Sequence, residues 1–371
     1  MTVSCDSYLY YYLIAPNKLI LYNSHALVKA SLYSVTMRNI LTTSTEREIL
    51  KLLKSRPDSY LSGQALSKTF GISRTAIWKH IKAIKKMGYG VEASPAKGYR
   101  LNLQNLPFNA LEISSNLKTA FIGKDISFYK EIDSTNETAK EFASKGAAEG
   151  AAVIADFQKK GRGRLGRHWE SPAGVNIYTS IVLRPSIMPV FAPQLTLVSA
   201  VAVAETISKF LNNGSGYKPE PTVKWPNDIL ISSKKTAGIL TEMSSEMDRV
   251  NFVVIGIGVN VNMSKKMLPE ELRPIATSLR EETGKEISRT DFIRTLYLSI
   301  EKWYKLYLKN GFEPIREEWN GYFKMAGKMV KVQQMDRVIE GVAVGIDADG
   351  AFLLQVKGGS VLRIISGDVI I

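Results

Sequence analysis

Apolar positions along this chain change their spacing twice, and each change marks a new kind of structure. From Ser44 the spacing is helical. Ser44-Thr45-Glu46-Arg47-Glu48 offers a hydroxyl cap with a glutamate three positions beyond Thr45, and Ile49, Leu50, Leu52 and Leu53 supply a buried stripe. Ser62 caps a second helix over 62–70 that Gly71 ends, and Ser73 caps a third at once. In the third, Ile77, Ile81 and Ile84 lie four and three apart and share the core face. Two helices joined by so short a turn predict a helix-turn-helix whose second member enters the major groove. Arg74, Thr75, Trp78, Lys79 and Lys82 then point away from the core, toward base edges or phosphates. Two extended pieces around a turn over 88–101 predict the wing of a winged helix.

Residues 103–107, with Pro107 after a polar pair, read as a linker, and beyond it strand patterns dominate. A helix over 136–143 ends at Gly146 and Gly150, and strands are predicted over 151–157 and 176–183. An apolar helix over 190–213 is expected to be buried. Residues 223–231 read as strand, tight turn, strand, with Pro226, Asn227 and Asp228 setting the turn; strands over 236–243 and 251–261 follow. Gly256 and Gly258 inside the last strand mark a place where a ligand or another backbone comes close. Strands without regular helices between them predict a mixed, mostly antiparallel sheet with helices on one side, an α+β fold rather than a doubly wound one. Helices over 290–310 and 313–322 precede short alternating strands from Met325, with turn pairs at 347–350, 357–359 and 366–368, which predict a small separate β domain over 325–371.

Composition narrows the partners. The 371 residues have room for two or three domains, and 45% hydrophobic with 23% charged residues is globular. The net charge is +14, and residues 41–105 hold twelve Lys and Arg against four Asp and Glu, more than half of that excess. Such a balance points to polyanionic partners. A single cysteine, Cys5, excludes an internal disulfide and suits a reducing, cytoplasmic compartment. His25, His80 and His168 stand far apart, so no protein-held metal site is expected. With no run of 18 apolar residues, no membrane span is expected. Residues 1–36 match no pattern that continues into the rest, and residues 1–40 are expected to be a non-native upstream extension.

The candidate chemistry centres on residues 156–169. Three glycines interleaved with arginines make a loop that bends freely while its side chains converge on an anion. Gly161, Gly163 and Gly166 also fit the dinucleotide-binding spacing, but that motif needs a helix opening at its last glycine, and here turn chemistry and a second strand follow.

Six segments, in order, resemble the bifunctional biotin protein ligases that double as repressors of biotin synthesis. They are Asp133-Ser-Thr-Asn136, the run from Gln158 to Trp169, Val223-Lys-Trp-Pro-Asn-Asp228, Ala237-Gly-Ile-Leu240, Gly256-x-Gly-x-Asn260 and Ala276-Thr-Ser-Leu279. The likeness covers roughly residues 41–371. It implies a winged helix over 41–105, a catalytic domain over 106–324 with the class II synthetase-like biotin/lipoate ligase fold, and an SH3-like barrel over 325–371. It further implies formation of biotinoyl-5′-AMP from biotin and ATP with Mg²⁺, then transfer of biotin to one lysine of a carboxyl carrier protein. By the same resemblance Ser134, Thr135, Asn136, Gln158, Arg162, Gly163, Arg164 and Lys224 hold biotin. Arg162, Arg164 and Lys224 serve the chemistry, and Arg164, Leu165, Trp169 and Asn260 lie near the adenylate. A homodimer on operator DNA is implied as well. Since water destroys a mixed anhydride, the glycine-rich loop is expected to shield it, disordered when empty and ordered by its anionic ligand. A lipoate ligase of related fold is disfavoured, because no arginine pair leads into three glycines with a histidine downstream.

Overall fold

The computed structural model describes residues 44–104, 106–211, 219–335 and 337–370, besides four two-residue strands between Tyr10 and Asn23. Apart from those short strands, the expected N-terminal extension over 1–40 lies outside the described residues. The chain divides between Pro107 and Phe108 into two units.

In the first unit, helices α1 (Ser44–Lys54), α2 (Gly63–Phe70) and α3 (Arg74–Lys86) precede the hairpin β1 (Val91–Ser94) and β2 (Gly98–Leu101). Both predicted caps form: Ser62 Oγ accepts from the Ala65 N–H at 3.0 Å and Ser73 Oγ from the Ala76 N–H at 3.1 Å. Ile77, Ile81 and Ile84 are buried against Ile49, Leu50, Leu53 and Leu66. Leu52 is only half-buried. Glu46 takes an inner place instead, 3.3 Å from His80 Nδ1. Leu61 pairs with Tyr99, which pins the wing to the entrance of α2. Glu92 ties it again, accepting from Tyr60 Oη at 2.8 Å and Arg100 Nη2 at 2.7 Å.

The second unit carries α4 (Ala110–Ser115), β3 (Ile126–Tyr129), α5 (Thr135–Ser144), β4 (Ala152–Ala155), β5 (Ile177–Leu183) and α6 (Gln194–Leu211). Strands β6 (Thr222–Lys224), β7 (Asp228–Ile231), β8 (Lys234–Ser245) and β9 (Val250–Val259) follow, then helices α7 (Leu279–Thr283), α8 (Arg289–Asn310) and α9 (Glu313–Tyr322). Seven strands form one sheet in the order β6-β7-β8-β9-β5-β4-β3, antiparallel except for the parallel pair β3 and β4. The sheet is therefore mixed and mostly antiparallel, as the strand spacing predicts.

Helices cover both of its faces rather than one. Ile154, Ile181, Val253 and Ile255 pack toward α6 and α8, while Val153, Val182 and Val254 alternate with them and pack on Ala139 and Ala143 of α5. Strand β5 is buried along its whole length, so it reads as a continuous apolar run and its second covered face leaves no alternation to detect.

Residues Pro189–Leu211, at a mean hydropathy of 1.6, are long and apolar enough by composition to cross a membrane. Here α6 is the central core helix, with most of its side chains buried.

The C-terminal strands β10 (Met329–Gln334), β11 (Arg337–Ile346), β12 (Phe352–Gln355), β13 (Val361–Ile364) and β14 (Asp368–Ile370) form a five-stranded antiparallel sheet in the order β13-β12-β11-β10-β14. This β layer does not stand apart. Phe352 stacks on Trp225 at 5.6 Å and meets Phe323 edge-on at 5.9 Å, and Trp225 Nε1 donates to Gly350 O at 3.1 Å, so one apolar core runs through both.

Candidate active site

Strand register builds the floor of the site. Gly256 lies opposite Leu240 on β8 and Ser180 on β5, and Gly258 opposite Gly238 and Tyr178. These rows face α5, whose first turn brings Thr135 and Asn136 onto them. A Cβ on Gly256 would sit 2.0 Å from Asn136 Oδ1, and one on Gly258 2.6 Å from the Trp169 indole. The two glycines are therefore required by the close approach of side chains, and both also line the cavity.

The polar end of the cavity is wired in one direction. The Thr135 N–H donates to Gln158 Oε1 at 2.9 Å, Gln158 Nε2 donates to Ser171 Oγ at 3.1 Å, and Ser171 Oγ donates to Trp169 O at 2.9 Å. Ser180 Oγ donates to Asn136 Oδ1 at 2.6 Å, while Asn136 Nδ2 donates to Glu242 Oε2 at 2.8 Å. The bonds orient each amide, so its donor and acceptor ends are settled by the network. Thr135, Asn136 and Gln158 are buried. Ser134, at the helix entrance, is buried as well and makes no capping bond.

The glycine-rich loop closes on itself as a hairpin. The Trp169 N–H donates to Gly161 O at 3.0 Å and the Gly163 N–H to Arg167 O at 2.7 Å, with a bridge between Arg162 and His168. Every cation in 159–167 has a carboxylate partner. Lys159 meets Glu131, Lys160 meets Asp133 at 2.8 Å, and Arg162 meets Glu137 at 2.8 Å. Arg164 and Arg167 each reach one oxygen of Asp368 on β14 at 2.7 Å. Arg164 also donates to Asn227 Oδ1 at 3.3 Å. The arginines do converge on anions, as the loop composition suggests, but these anions are the protein's own. Lys160 beside Asp133 holds that carboxyl below the ordinary carboxylate range. Burial alone would lower Lys140, yet Glu242 and Glu137 outweigh it and raise the ammonium above an ordinary lysine.

On the opposite wall the hairpin of β6 and β7, turning through a cis Trp225–Pro226 bond, sets Lys224 across from Asp228. Asp228 accepts from Lys235 at 2.7 Å and lies 3.8 Å from Lys224. Lys235 in turn stands 5.3 Å from the centre of the Trp169 ring. Burial pushes the Tyr178 hydroxyl well above its ordinary value, so it stays protonated and donates to Pro172 O at 3.0 Å.

Of the eleven ligand-site residues expected, nine line this one cavity: Ser134, Thr135, Asn136, Gln158, Arg162, Gly163, Arg164, Trp169 and Lys224. Two stand elsewhere. Leu165, at the loop tip, is 80% exposed, and Asn260 is buried behind β9, its amide donating to Thr277 O at 3.0 Å and its N–H to Thr236 O at 2.8 Å. His168, given no role from sequence, lines the rim 3.4 Å from Glu170. Tyr178, Asn227, Asp228, Lys235, Arg167 and Asp368 line the cavity without having been singled out as site residues. Asn227 and Asp228 were legible as turn residues within a family segment but given no role, Asp368 only as a turn residue, and nothing local marks Tyr178 within an apolar strand.

The cavity thus runs from neutral hydrogen-bonding groups, past an indole wall over a glycine floor, to a cluster of cations. It suits a flat polar head joined to an anion. Comparison with known proteins points to the same chemistry. Residues 128–260 match the biotin/lipoate A/B protein ligase family, 45–100 an HTH domain, and 326–371 the biotin protein ligase C-terminal domain. The bifunctional ligase/repressor BirA of Bacillus subtilis (strain 168) is 40% identical over 329 residues, 89% of this chain and 99% of that protein. The chain belongs to the bifunctional biotin protein ligase/repressor family. BirA of Escherichia coli (strain K12) is 33% identical to this ligase over 297 residues, 80% of this chain and 88% of that one. Among solved structures, the biotin protein ligase from Aquifex aeolicus in complex with biotin and ATP matches with a TM-score of 0.56 at 31% identity, covering 67% of this chain and 98% of that one.

Proposed function

We infer that this chain is an ATP-dependent biotin protein ligase that forms biotinoyl-5′-AMP and passes the biotinoyl group to a lysine of a carboxyl carrier protein, and that its winged helix makes it a biotin-responsive repressor. One observation carries the ligase reading: a single cavity grades from oriented neutral amides and hydroxyls to Lys224 and the loop arginines. The ureido ring of biotin takes the neutral end, at Ser134, Thr135, Asn136 and Gln158. Its carboxylate reaches the cationic end, near Lys224.

In the first step a carboxylate oxygen of biotin attacks the α-phosphorus of ATP, and the bond from that phosphorus to the bridging oxygen of pyrophosphate breaks. Two anions must meet, so the barrier is lowered by positioning and by neutralising charge on the phosphoryl oxygens. Lys224 and Arg164 supply that charge, with Arg162 beside them. For the two arginines this means exchanging Glu137 and Asp368 for the ligand. In the second step the carrier lysine amine attacks the acyl carbon, AMP departs, and the nitrogen loses a proton. No nucleophilic side chain is required. Trp169 and the hairpin around it cover the anhydride in the interval.

Among the described residues no group of three or more His, Cys, Asp or Glu is placed to hold a metal ion. The two carboxylates that line the cavity, Asp228 and Asp368, are occupied by lysines and arginines. Mg²⁺ therefore enters with the ATP phosphates. We place the reaction in the cytoplasm, and the repressor as a homodimer whose half-sites lie whole helical turns apart. Incubation with labelled biotin, ATP and a carrier domain tests the ligase: label on the carrier lysine is expected, competed by biotin and not by lipoate. Labelling by lipoate with none by biotin would overturn the assignment.

A further inference from the structure

On the exposed face of α3, Arg74, Trp78 and Lys82 recur at intervals of four and line up, flanked by Thr75 and Lys79. All five side chains are exposed. Four are polar and suit phosphates and base edges. The fifth is an indole, 51% exposed, and among the described residues 44–101 it is the sole large apolar side chain left in water. The other large apolar groups of residues 44–101 are buried or half-buried, so Trp78 is an exception to the pattern there. Lys82 Nζ stands 5.3 Å from the ring centre, which fixes the ring and covers one face with an ammonium. The other face and the edge remain available. A lone indole among cations is a poor anchor for a protein, which prefers a cluster of apolar groups with charge at the rim. It matches a polyanion with an isolated apolar spot. Double-stranded DNA has one such group in its major groove, the thymine C5-methyl.

We propose that Trp78 is the thymine-reading residue of this repressor, packing its indole on a thymine C5-methyl in each half-site while Lys82 holds the ring and reaches the adjacent phosphate. The proposal rests on the DNA-binding reading of α3 and adds the base and the atom that are read.

The test uses the full-length protein with biotin, ATP and Mg²⁺. A pool of duplexes with a randomised centre is selected for retention, and the winning duplex is resynthesised with deoxyuridine at one thymine at a time, which deletes only the methyl group. At one symmetric pair of positions the wild-type protein is expected to lose affinity by about fourfold per methyl, the size of one such group taken out of water. Trp78→Ala is expected to bind the thymine and uracil duplexes equally, and Lys82→Ala to discriminate less than the wild type. Circular dichroism and thermal unfolding of each variant verify the fold, and Trp78→Phe, which keeps an aromatic face, should retain part of the discrimination. If Trp78→Ala discriminates as well as the wild type, or the wild type ignores every deoxyuridine, the proposal is wrong while the DNA-binding reading stands. If no duplex is retained from the pool, both fall.

Discussion

The cations on the exposed face of α3 and those of the glycine-rich loop are opposite in circumstance. Arg74, Lys79 and Lys82 on α3 have no carboxylate partner among the described residues, whereas Lys159, Lys160, Arg162, Arg164 and Arg167 each have one. The difference separates two ways of binding an anion. An array of unpartnered surface cations attracts a polyanion at long range and releases its counterions, at no cost in broken protein contacts. A paired cation near a cavity must exchange one anion for another, so it responds to a ligand placed well enough to compete with the carboxylate. Net charge records the first kind. Residues 41–105 account for more than half of the +14, and residues 106–324, three times as long, for +4, from 29 Lys and Arg against 25 Asp and Glu.

Removing a loop cation altogether should have the largest effect. Arg164→Ala is expected to lose about 2–4 kcal/mol of transition-state stabilisation, the worth of one charged donor to a developing anion, and to leak biotinoyl-5′-AMP before transfer. Steady-state kinetics and the release of adenylate in the absence of carrier measure both, and unchanged retention would refute the shielding role of the loop.

A second break concerns the structural carboxylate Glu301 on α8, which accepts from the N–H groups of Ala120, Phe121 and Ile122 and from Lys305. Burial alone would raise its pKa, but Lys305 and the three N–H donors outweigh burial and hold it at about 2, against an ordinary 4.5. A depressed carboxylate stabilises the fold above its unfolded pKa. That contribution is lost as pH falls from about 4.5 toward 2. Glu301→Gln should therefore lower stability by roughly 2–3 kcal/mol at pH 7, with the gap to the wild type narrowing at pH 3. Urea unfolding at the two pH values checks it; an equal gap at both would mean that the charge is not the cause.

Asp368→Asn probes the exchange itself. It weakens the hold on Arg164 and Arg167 by about 1–2 kcal/mol, as for a partly buried charge-assisted pair, without removing either arginine. Tryptic cleavage after residues 162–167 should rise in the ligand-free enzyme and fall again when biotin and ATP are added. A loop equally resistant in variant and wild type would show that Asp368 does not hold it. The smallest effect is expected at Lys79→Ala, which should reduce the slope of log affinity against log salt for the selected duplex by about 1. Salt should move the biotin affinity of the paired cavity much less, and equal salt slopes for both ligands would erase the distinction drawn here.

Much of this was open to a reader of the chain alone. The caps at Ser62 and Ser73, the isoleucine stripe of α3 and the strand pattern follow from periodicity and turn chemistry, which act over a few residues; the nine cavity residues came from the family resemblance of the motifs that hold them. Three things did not. Helix α5 covers the second face of the sheet, which the uniformly apolar β5 conceals. Asp368 is 204 and 201 positions from the Arg164 and Arg167 that it holds, and its Gly-Asp setting reads as a turn. Gly256 and Gly258 announced a close approach, but only the strand register reveals that Asn136 and Trp169 make it. Local sequence determined the elements, their caps and the residue types of the chemistry, because propensity and spacing are short-range. Tertiary structure alone decided which carboxylate faces which cation, because a charge responds to whatever folding brings within a few ångströms, however distant along the chain.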